Sequence, residues 1–459
     1  MARPANIETP PARLRSIVTL AAPAIAALLL QTGVLWADRI MLGHFSATAL
    51  GAMQIAGPIE WTLVSVASAF AVGTLALVGR AVGAGDHAAA RRHTTISMVV
   101  AVALGTIAML AAYALVLPTL HLMFANTDAA AEVARQYLQV ALLAAPFYCV
   151  GVAGFAALSA AGDTVTPLKI GVAVNVVHVG INWLLIGGHW GFPALGARGA
   201  GWSTAASYTA EALLTFAALS RAGLPASLRP FRWPFGDAAG RDALRALRRL
   251  SLHATSERVV YHVAYMAFVW MIARLGDDAM ASNQALIAIE AISFMTVEGF
   301  ATASGALVAQ ELGARRPERA TWVGWASTGL AVLTLSSFGL LFLALRHQLP
   351  ALVTPRADLQ AEAARALIVV AIAQPFMAVG VVLGQAVRGA GATRLALFVS
   401  LFGGFVVRLV VTWIATSRGF GVMGVWMGST ADWASRTLLL IAIWRLGTWR
   451  DATRELPAG

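Results

Sequence analysis

The sequence predicts an all-α polytopic membrane protein with twelve transmembrane helices in two parallel six-helix repeats, forming an N-lobe and a C-lobe around a central cleft. Three observations support this fold class. The 459 residues are 59% hydrophobic and 12% charged, with a mean hydropathy of +0.73, whereas about a quarter of a soluble domain is charged. Apolar runs long enough to cross a bilayer as helices recur along the chain. Segments of the first half also return in the second half.

The apolar runs give twelve predicted spans. Helices are expected because backbone groups in hydrocarbon must be hydrogen-bonded within their own segment. The spans are 14–37, 49–77, 94–117, 133–158, 168–188, 199–219, 250–273, 281–309, 321–345, 362–386, 395–415 and 424–444. Basic residues precede the first span as in a signal peptide, but the span is too long for one, and we expect a retained helix.

The basic residues behind the net charge of +11 are distributed unevenly between the two sides of the membrane. Most of them fall in the N-terminus, in the connections that follow even-numbered spans, and in the C-terminus. The connections that follow odd-numbered spans hold only Arg39, Arg198, Arg274, Arg346, Arg356 and Arg418. This asymmetry places both termini in the cytoplasm. The central stretch "RPFRWPFGDAAGRDALRALRRL" is interpreted as an interfacial linker helix, and not as a nucleic-acid site.

The internal repeat defines the domain organisation. The segment "PFYCVGVAGFAALSAAGDT" starts at Pro146, and "PFMAVGVVLGQAVRGAGAT" starts at Pro375, with nine of nineteen positions identical. Six spans per copy is an even number, so both copies enter the membrane from the same side, as in many secondary transporters. We therefore predict an N-lobe over 1–222, a basic cytoplasmic linker over 223–245, and a C-lobe over 246–459.

Prolines and glycines mark bends and helix ends within each repeat. Pro23, Pro58, Pro146 and Pro375 each remove a helix hydrogen bond, so a kink is expected at each. The turns "GAGD" and "GAGAT" lack the Lys-Ser/Thr of a phosphate-binding loop and follow no strand. They are typical of the ends of helices.

Ionisable residues inside the spans are the candidate functional residues, since a charge in lipid is costly. Asp38 lies toward the outer end of span one, and we expect His178 and Asn182 of span five at the same depth. A carboxylate there can bind a proton or a sodium ion, and the histidine and amide can hydrogen-bond to it. An ion pair of Asp38 with Arg39 is the alternative.

The second repeat carries acids of its own. Glu290 of span eight stands 230 positions after Glu60 of span two, so both repeats hold a carboxylate at the same place. Glu257 of span seven is a further candidate, with a local ion pair to Arg258 as the alternative. Asp432 and Arg436 are four apart on one predicted helix and can neutralise each other.

Several segments resemble the multidrug and toxic compound extrusion (MATE) transporters. "ADRIMLGHFSATALGA" is similar to the Asp-containing signature of that family. "VGRAVGAGD" and "LVAQELGARRPERA" are similar to its cytoplasmic turns, and "INWLLIGGHWGFPALGARGAGWSTA" to its fifth-to-sixth span segment. The resemblance covers nearly the whole chain and recurs in both halves. It implies an integral protein of the bacterial inner membrane, a monomer without cofactor, that exports amphipathic or cationic small molecules in exchange for a cation.

The resemblance also implies a role for Asp38, because the acid of span one is a cation-coupling residue in that family. One branch of the family has an Asn and an Asp four apart in span five, where this chain has His178 and Asn182. Losing a carboxylate oxygen weakens a sodium site, whereas a titratable histidine suits protons. We therefore predict proton coupling at Asp38, Asn182 and His178, with Glu257, Glu290 and Glu60 as further coupling candidates and sodium as the alternative ion.

A cleft lined with aromatic rings suits a lipophilic cation, which ring faces hold by cation–π contact worth ~1–2 kcal/mol. Trp61, Tyr148 and Phe294, with Glu298, are the predicted substrate contacts. A flippase or exporter of a lipid-linked or metabolite substrate is the alternative function. The sequence contains no HExxH zinc motif and no nucleophile with a matching base, so we predict that the protein is not an enzyme and holds no metal beyond a coupling sodium.

Overall fold

The computed structural model describes residues 10–123, 128–231 and 233–450, and these form helices and turns with no strand. Both ends of the chain, which the charge pattern predicts to be cytoplasmic, lie outside the described residues, as does Arg232 of the basic linker. Within the described ranges, nine helices are long and apolar enough to cross a membrane. Three more long helices complete a set of twelve.

The twelve helices follow one another along the chain with short connections. A short helix, Gln348–Val353, connects α9 to α10. The long helices are α1 (Pro10–Phe45), α2 (Ala47–Gly83), α3 (His87–Leu120), α4 (Ala129–Ala160), α5 (Val165–Gly187), α6 (Ala197–Leu219), α7 (Ala238–Ala273), α8 (Asp277–Gly313), α9 (Pro317–Ala344), α10 (Ala357–Gly389), α11 (Thr393–Ser417) and α12 (Gly421–Leu446).

The twelve predicted spans each lie on one of these helices, so the fold-class prediction is confirmed. The predicted ends of the fifth and ninth spans each extend one residue beyond the helix. The predicted end of the first span is wrong, because α1 continues from residue 37 to Phe45. Backbone hydrogen bonds do not depend on side-chain polarity, so the helix runs through Asp38, Arg39 and His44. Asp38 therefore lies about two turns inside α1.

The glycine-rich turns end helices, as predicted. Gly85 follows α2 with φ 73°, and Gly391 follows α10 with φ 86°. This left-handed backbone is open to glycine without steric cost. Asp86 then begins α3, because its carboxylate accepts a hydrogen bond from Ala89 N at 2.8 Å.

Of the four prolines expected to kink helices, three lie inside a helix and the fourth lies beside an interruption. Pro23, Pro58 and Pro375 lie inside α1, α2 and α10. Within α4, Pro146 follows a 3₁₀ turn over Leu142–Ala144. The missing N–H of proline is least costly at the start of a helical segment, and the structure places Pro146 there.

A π-helical segment accounts for a change in repeat spacing. Thr164 and Thr393, at the starts of α5 and α11, are 229 residues apart, whereas Trp183 and Trp413 near their ends are 230 apart. The extra residue falls within α11, where Leu401–Val407 is π-helical. A π-turn absorbs one inserted residue without turning the rest of the helix to another face.

The described chain divides into two compact units. The N-terminal unit comprises residues 27–262, and the C-terminal unit comprises residues 10–26 and 263–450. Each unit has its own buried core. Leu138, Leu142 and Ile186 lie in one core of the N-terminal unit, and Leu367 and Trp426 lie in one core of the C-terminal unit.

Helices α3 and α4 approach closely at the start of the repeated segment. A Cβ added at Gly105 would lie 2.7 Å from Ala145 O and 2.8 Å from Pro146 N. Backbone atoms cannot move aside as a side-chain tip can, so this contact requires glycine.

We predict that Gly105→Ala lowers the free energy of unfolding by about 1–3 kcal/mol through overpacking. Gly171→Ala is the matched control, because a Cβ there meets nothing within 4 Å. It should be neutral or slightly stabilising, since alanine favours a helix over glycine. Thermal unfolding in detergent measures both variants, and equal midpoints for the two would contradict the prediction.

Candidate functional site

A buried polar cluster joins α1 and α5 in the N-terminal unit. His178 Nε2 lies 2.9 Å from Asp38 Oδ1, and Asn182 Nδ2 donates to the same oxygen at 2.5 Å. The His178 side chain is 7% exposed and that of Asp38 is 24% exposed, whereas Asn182 is fully buried. Asp38 is therefore the accessible member of a desolvated cluster, and its partner is His178 instead of Arg39.

The orientation of the histidine ring is set by α6. Ser207 Oγ donates to Ser203 O at 2.8 Å and lies 2.9 Å from His178 Nδ1. A hydroxyl has one hydrogen, and a carbonyl oxygen can only accept. With the Ser207 hydrogen donated to Ser203 O, the matching tautomer of His178 carries its proton at Nδ1 and donates it to Ser207 Oγ.

This tautomer has a consequence for the contact with Asp38. A neutral ring protonated at Nδ1 presents a lone pair at Nε2, and an ionised carboxylate also only accepts. Asn182 Nδ2 lies 2.5 Å from Asp38 Oδ1 and 3.0 Å from His178 Nε2, so the two hydrogens of the amide can bridge both acceptors. A proton placed between Nε2 and Oδ1, which are 2.9 Å apart, would join the two groups directly. The pair is therefore a candidate site for one exchangeable proton.

Glu60 on α2 forms a second carboxylate cluster in the same unit. Tyr137 donates its hydroxyl to Glu60 Oε2 at 2.8 Å, and Tyr208 donates to Oε1 at 3.2 Å. The Tyr137 hydroxyl also lies 3.3 Å from Thr204 Oγ1. Electrostatic interactions link Glu60 to both Asp38 and His178. The two carboxylates therefore belong to one polar region that α6 borders along its length.

The repeat positions of this cluster in the C-terminal unit hold different chemistry. At an offset of 230, Asp38 corresponds to Phe268, His178 to Arg408, and Asn182 to Thr412. Arg408 lies over the Phe268 ring at 5.4 Å. The scaffold is thus repeated, but an aromatic ring and a fixed cation replace the acid and the titratable base.

Arg408 belongs to a buried ion-pair network. Its Nη2 lies 2.8 Å from Asp432 Oδ2, and Arg436 Nε lies 2.5 Å from Asp432 Oδ1. Asp432 is fully buried. The predicted pairing of Asp432 with Arg436 is confirmed, and Arg408 adds a second arginine to the same aspartate.

The other predicted coupling residues lie apart from the Asp38 cluster. Glu290 is on α8 of the C-terminal unit, where it interacts electrostatically with Arg408. Among the described residues, its Oε1 is buried and has no hydrogen-bond partner. Glu257 is a buried residue of α7 within the N-terminal unit. The coupling roles of both stay predictions.

The predicted substrate contacts divide between the two units. Trp61, 42% exposed, packs against His262 and Tyr261 with ring centroids 4.6 and 5.9 Å away. The Tyr148 ring lies 4.9 Å from that of Tyr208. Phe294 and Glu298 lie on α8 of the C-terminal unit, Phe294 against a core cluster there. Their substrate roles also remain predictions.

Sequence reasoning missed the residues that hold the two carboxylates. Tyr137, Tyr208 and Ser207 come from helices distant in sequence, and nothing adjacent to Asp38 or Glu60 indicates them. A signal was nonetheless present. The chain has six tyrosines, and those inside apolar spans need a partner for the hydroxyl. Ser203, Ser207 and Glu211 also recur at a spacing of four on one helical face.

Comparison with known proteins identifies similar chains. The MatE family model matches twice, over residues 23–184 and 255–414, once in each half. The probable multidrug resistance protein NorM of Thermotoga maritima is 26% identical over 452 residues, covering 96% of this chain and 95% of that protein. The multidrug resistance protein PmpM of Pseudomonas aeruginosa is 26% identical over 451 residues, covering 94% and 90%.

Solved structures share the fold. The outward-facing conformation of a multidrug resistance MATE family transporter superposes with a TM-score of 0.85 at 19% identity, covering 96% of this chain and 97% of that one. A mutant of the Vibrio cholerae MATE transporter VcmN gives a TM-score of 0.85 at 17% identity, covering 97% and 98%. Each superposition therefore includes nearly all of this chain and nearly all of the solved structure.

The hydrogen bonds around His178 predict its tautomer. In the native protein the neutral ring should carry its proton at Nδ1, because that tautomer donates to Ser207 Oγ, 2.9 Å away. Ser207→Ala removes that acceptor, and the neutral ring should then carry its proton at Nε2 and donate to Asp38. Nitrogen-15 NMR of histidine-labelled protein distinguishes the tautomers, with His178→Asn identifying the signal. A neutral Nε2–H ring in the native protein would contradict the assignment.

Proposed function

The chain belongs to the MatE family of integral membrane transporters, and on that premise we propose that it is a proton-coupled antiporter exporting amphipathic or cationic small molecules. The family model matches more than half of the chain. The similar proteins named above carry multidrug resistance names. Transport, and not catalysis, is the activity of the family.

The observation that carries the proton assignment is the contact between His178 Nε2 and Asp38 Oδ1 at 2.9 Å. With Nδ1 assigned as the donor to Ser207 Oγ, a proton between Nε2 and Asp38 Oδ1 joins the two groups directly. Without that proton, the Asn182 amide is the group that bridges them, at 2.5 Å from Oδ1 and 3.0 Å from Nε2. Proton binding would therefore change the contacts of Asp38, as coupling requires.

Sodium fits the site less well. A hard cation takes several oxygen ligands, but the described contacts of Asp38 Oδ1 are two nitrogens, His178 Nε2 and Asn182 Nδ2. Asn182 Oδ1 is buried without a partner among the described residues, so it could offer one oxygen only if the amide moved. These contacts support protons as the coupling ion.

The N-terminal unit is proposed to carry the coupling. In the C-terminal unit, the repeat positions of Asp38 and His178 hold Phe268 and Arg408. The guanidinium stays charged and is already paired with Asp432 at 2.8 Å. A permanent cation at the position of His178 cannot accept and release protons near neutral pH.

The proposed cycle uses one proton-linked equilibrium. A proton enters the Asp38–His178 pair from outside and neutralises the carboxylate, which then no longer attracts a cationic substrate. The substrate leaves outward, the proton leaves toward the cytoplasm, and the ionised site can bind a new cation. A ligand shifts a conformational equilibrium only by its differential affinity for the two states, and here proton and substrate both act through the charge of Asp38.

Aromatic rings support a lipophilic cation as substrate. Trp61 and Tyr148 lie in the N-terminal unit in contact with other rings, and Tyr148 packs on Tyr208, which donates to the Glu60 carboxylate. Cation–π contact contributes about 2 kcal/mol when desolvated. We propose a cytoplasmic inner-membrane location, cytoplasmic termini and a monomeric transporter on the basis of charge distribution and relatives.

One observation favours a second candidate function. Two arginines, Arg408 and Arg436, both form an ion pair with the carboxylate of Asp432, so two guanidinium groups lie close together in the C-terminal unit. Guanidinium groups bind phosphate well. Flipping or exporting a lipid-linked or metabolite phosphate is therefore the alternative, although the acidic N-terminal cluster favours cation export.

We predict that Asp38→Asn abolishes proton-driven efflux, because asparagine cannot exchange a proton. Uptake of the fluorescent cation rhodamine 6G into inside-out vesicles is measured under an imposed pH gradient, then under a sodium gradient. The native protein should respond to the pH gradient alone, and the variant should lose at least about 100-fold in initial rate, as when a positioned acid–base group is removed.

Asp278→Asn serves as the matched control, because Asp278 is an exposed acid paired with Arg356 at the start of α8. This variant should transport like the native protein. Undiminished efflux by Asp38→Asn would refute the coupling role, and uptake driven only by sodium would refute the choice of ion.

A further inference from the structure

A line of polar side chains continues along α6 beyond the two carboxylate clusters. Thr204, Tyr208, Glu211 and Thr215 are spaced by four, three and four residues, so they share one face of the helix. Thr204 and Tyr208 contact the Glu60 cluster. Glu211 and Thr215 lie about 10 and 16 Å farther along the axis than Thr204, toward the end that is predicted to be cytoplasmic.

Two glycines of α4 leave space for Glu211 and Thr215, the last two residues of this polar line. A Cβ at Gly151 would lie 2.6 Å from Glu211 Oε1, and a Cβ at Gly154 would collide with Thr215 Cγ2. Both glycines belong to the repeated segment "VGVAGF". The α4 surface therefore has a space shaped to the carboxylate of Glu211 and the side chain of Thr215.

Glu211 lies in the interior of α6 without a cation beside it among the described residues. Within the described part of the chain, it forms neither an ion pair nor a hydrogen bond. A carboxylate in such a position is costly and is expected to have a function. Thr215 is fully buried, and its Oγ1 has no hydrogen-bond partner among the described residues.

Tyr148 connects Glu211 to Glu60. Its ring packs on Tyr208 at 4.9 Å, and it interacts electrostatically with both glutamates. The charged or titratable groups that act on Tyr148 also include Cys149 of α4 and Arg258 of α7. Tyr208 and Tyr148 thus lie between the carboxylates of Glu60 and Glu211. A phenol hydroxyl can accept one proton while it donates another.

From this arrangement we propose that Glu211 is a proton-relay residue that connects the Asp38–Glu60 region with the predicted cytoplasmic end of α6. The inference rests on the proposed function, since it supplies the inward exit for the coupling proton. The residues that form the relay are Glu60, Tyr208, Tyr148, Glu211 and Thr215.

The transfer conserves hydrogen at each step. While Glu60 is ionised, Tyr208 donates to it, at 3.2 Å. Once Glu60 gains a proton from the Asp38 site, its hydroxyl can donate to the Tyr208 oxygen, which frees the Tyr208 hydroxyl to turn toward Tyr148, whose ring lies 4.9 Å away. One proton then passes from Glu60 to Tyr208, a second from Tyr208 to Tyr148, and a third from Tyr148 to Glu211. Each phenol gains one proton and loses one, and Glu211 releases its proton past Thr215 to water.

The test compares Glu211→Gln with Glu211→Asp in proteoliposomes. Rhodamine 6G uptake and internal pH are followed together, and equilibrium binding of rhodamine 6G is measured separately in detergent. Glu211→Gln should bind the dye within about two-fold of the native protein yet lose at least about ten-fold in proton-coupled rate. The dependence of that rate on pH at the cytoplasmic side should flatten, and Glu211→Asp should restore part of it.

Thr209→Ala is the matched control on the same helix, since the Thr209 hydroxyl donates only to Ala205 O, at 2.8 Å. It should leave the rate and the pH profile unchanged. A native pH profile in Glu211→Gln would overturn the relay. A loss of dye binding equal to the loss of rate would also overturn it, because Glu211 would then be a substrate ligand.

Infrared spectroscopy after a pH jump separates failure of the relay from failure of the proposed function. A carboxylic C=O band that forms in the native protein and is absent in Glu211→Gln is expected whether or not rhodamine 6G is transported. The remaining carboxyl groups should protonate more slowly in this variant. An unchanged spectrum with unchanged rates would overturn the relay on its own, and absence of uptake by the native protein would refute only the proposed function.

Discussion

A polar side chain inside a membrane helix must find its partner within the protein, because hydrocarbon offers none. The N-terminal unit satisfies this constraint by grouping polar residues from different helices. Asp38 meets His178 and Asn182, and Glu60 meets Tyr137 and Tyr208. Each grouping also fixes which atoms carry hydrogen. The constraint that keeps the helices stable in lipid is therefore the same one that brings titratable side chains together.

The two units satisfy this constraint in opposite ways. In the C-terminal unit, Arg408 and Arg436 are fixed on the fully buried Asp432. These residues form a network of short ion pairs, and breaking such a buried network is strongly destabilising. The N-terminal cluster instead combines groups that can gain or lose a proton. Duplication provided two scaffolds of one shape, and residue choice gave one a titratable site and the other a fixed charge.

Sequence reasoning reached the architecture because hydropathy, proline and glycine act locally. It placed the twelve helices and the turns at Gly85 and Gly391, but ended α1 too early because it treated Asp38 as the edge of an apolar run. The repeat exposed the matched pair Glu60 and Glu290, although it could not show that tyrosines surround the first. Contacts such as that of Ser207 with His178 depend on how α5 and α6 are rotated against each other, which no local pattern encodes.

The π-helical segment of α11 has an evolutionary consequence. Inserting one residue into an ordinary helix turns everything after it by about 100°, which would have moved Arg408, Thr412 and Trp413 to another face. The wide turn over Leu401–Val407 accommodates the extra residue, so Trp413 has the place in α11 that Trp183 has in α5. The two copies therefore keep one register despite the difference in length, and matched positions can carry different chemistry on the same scaffold.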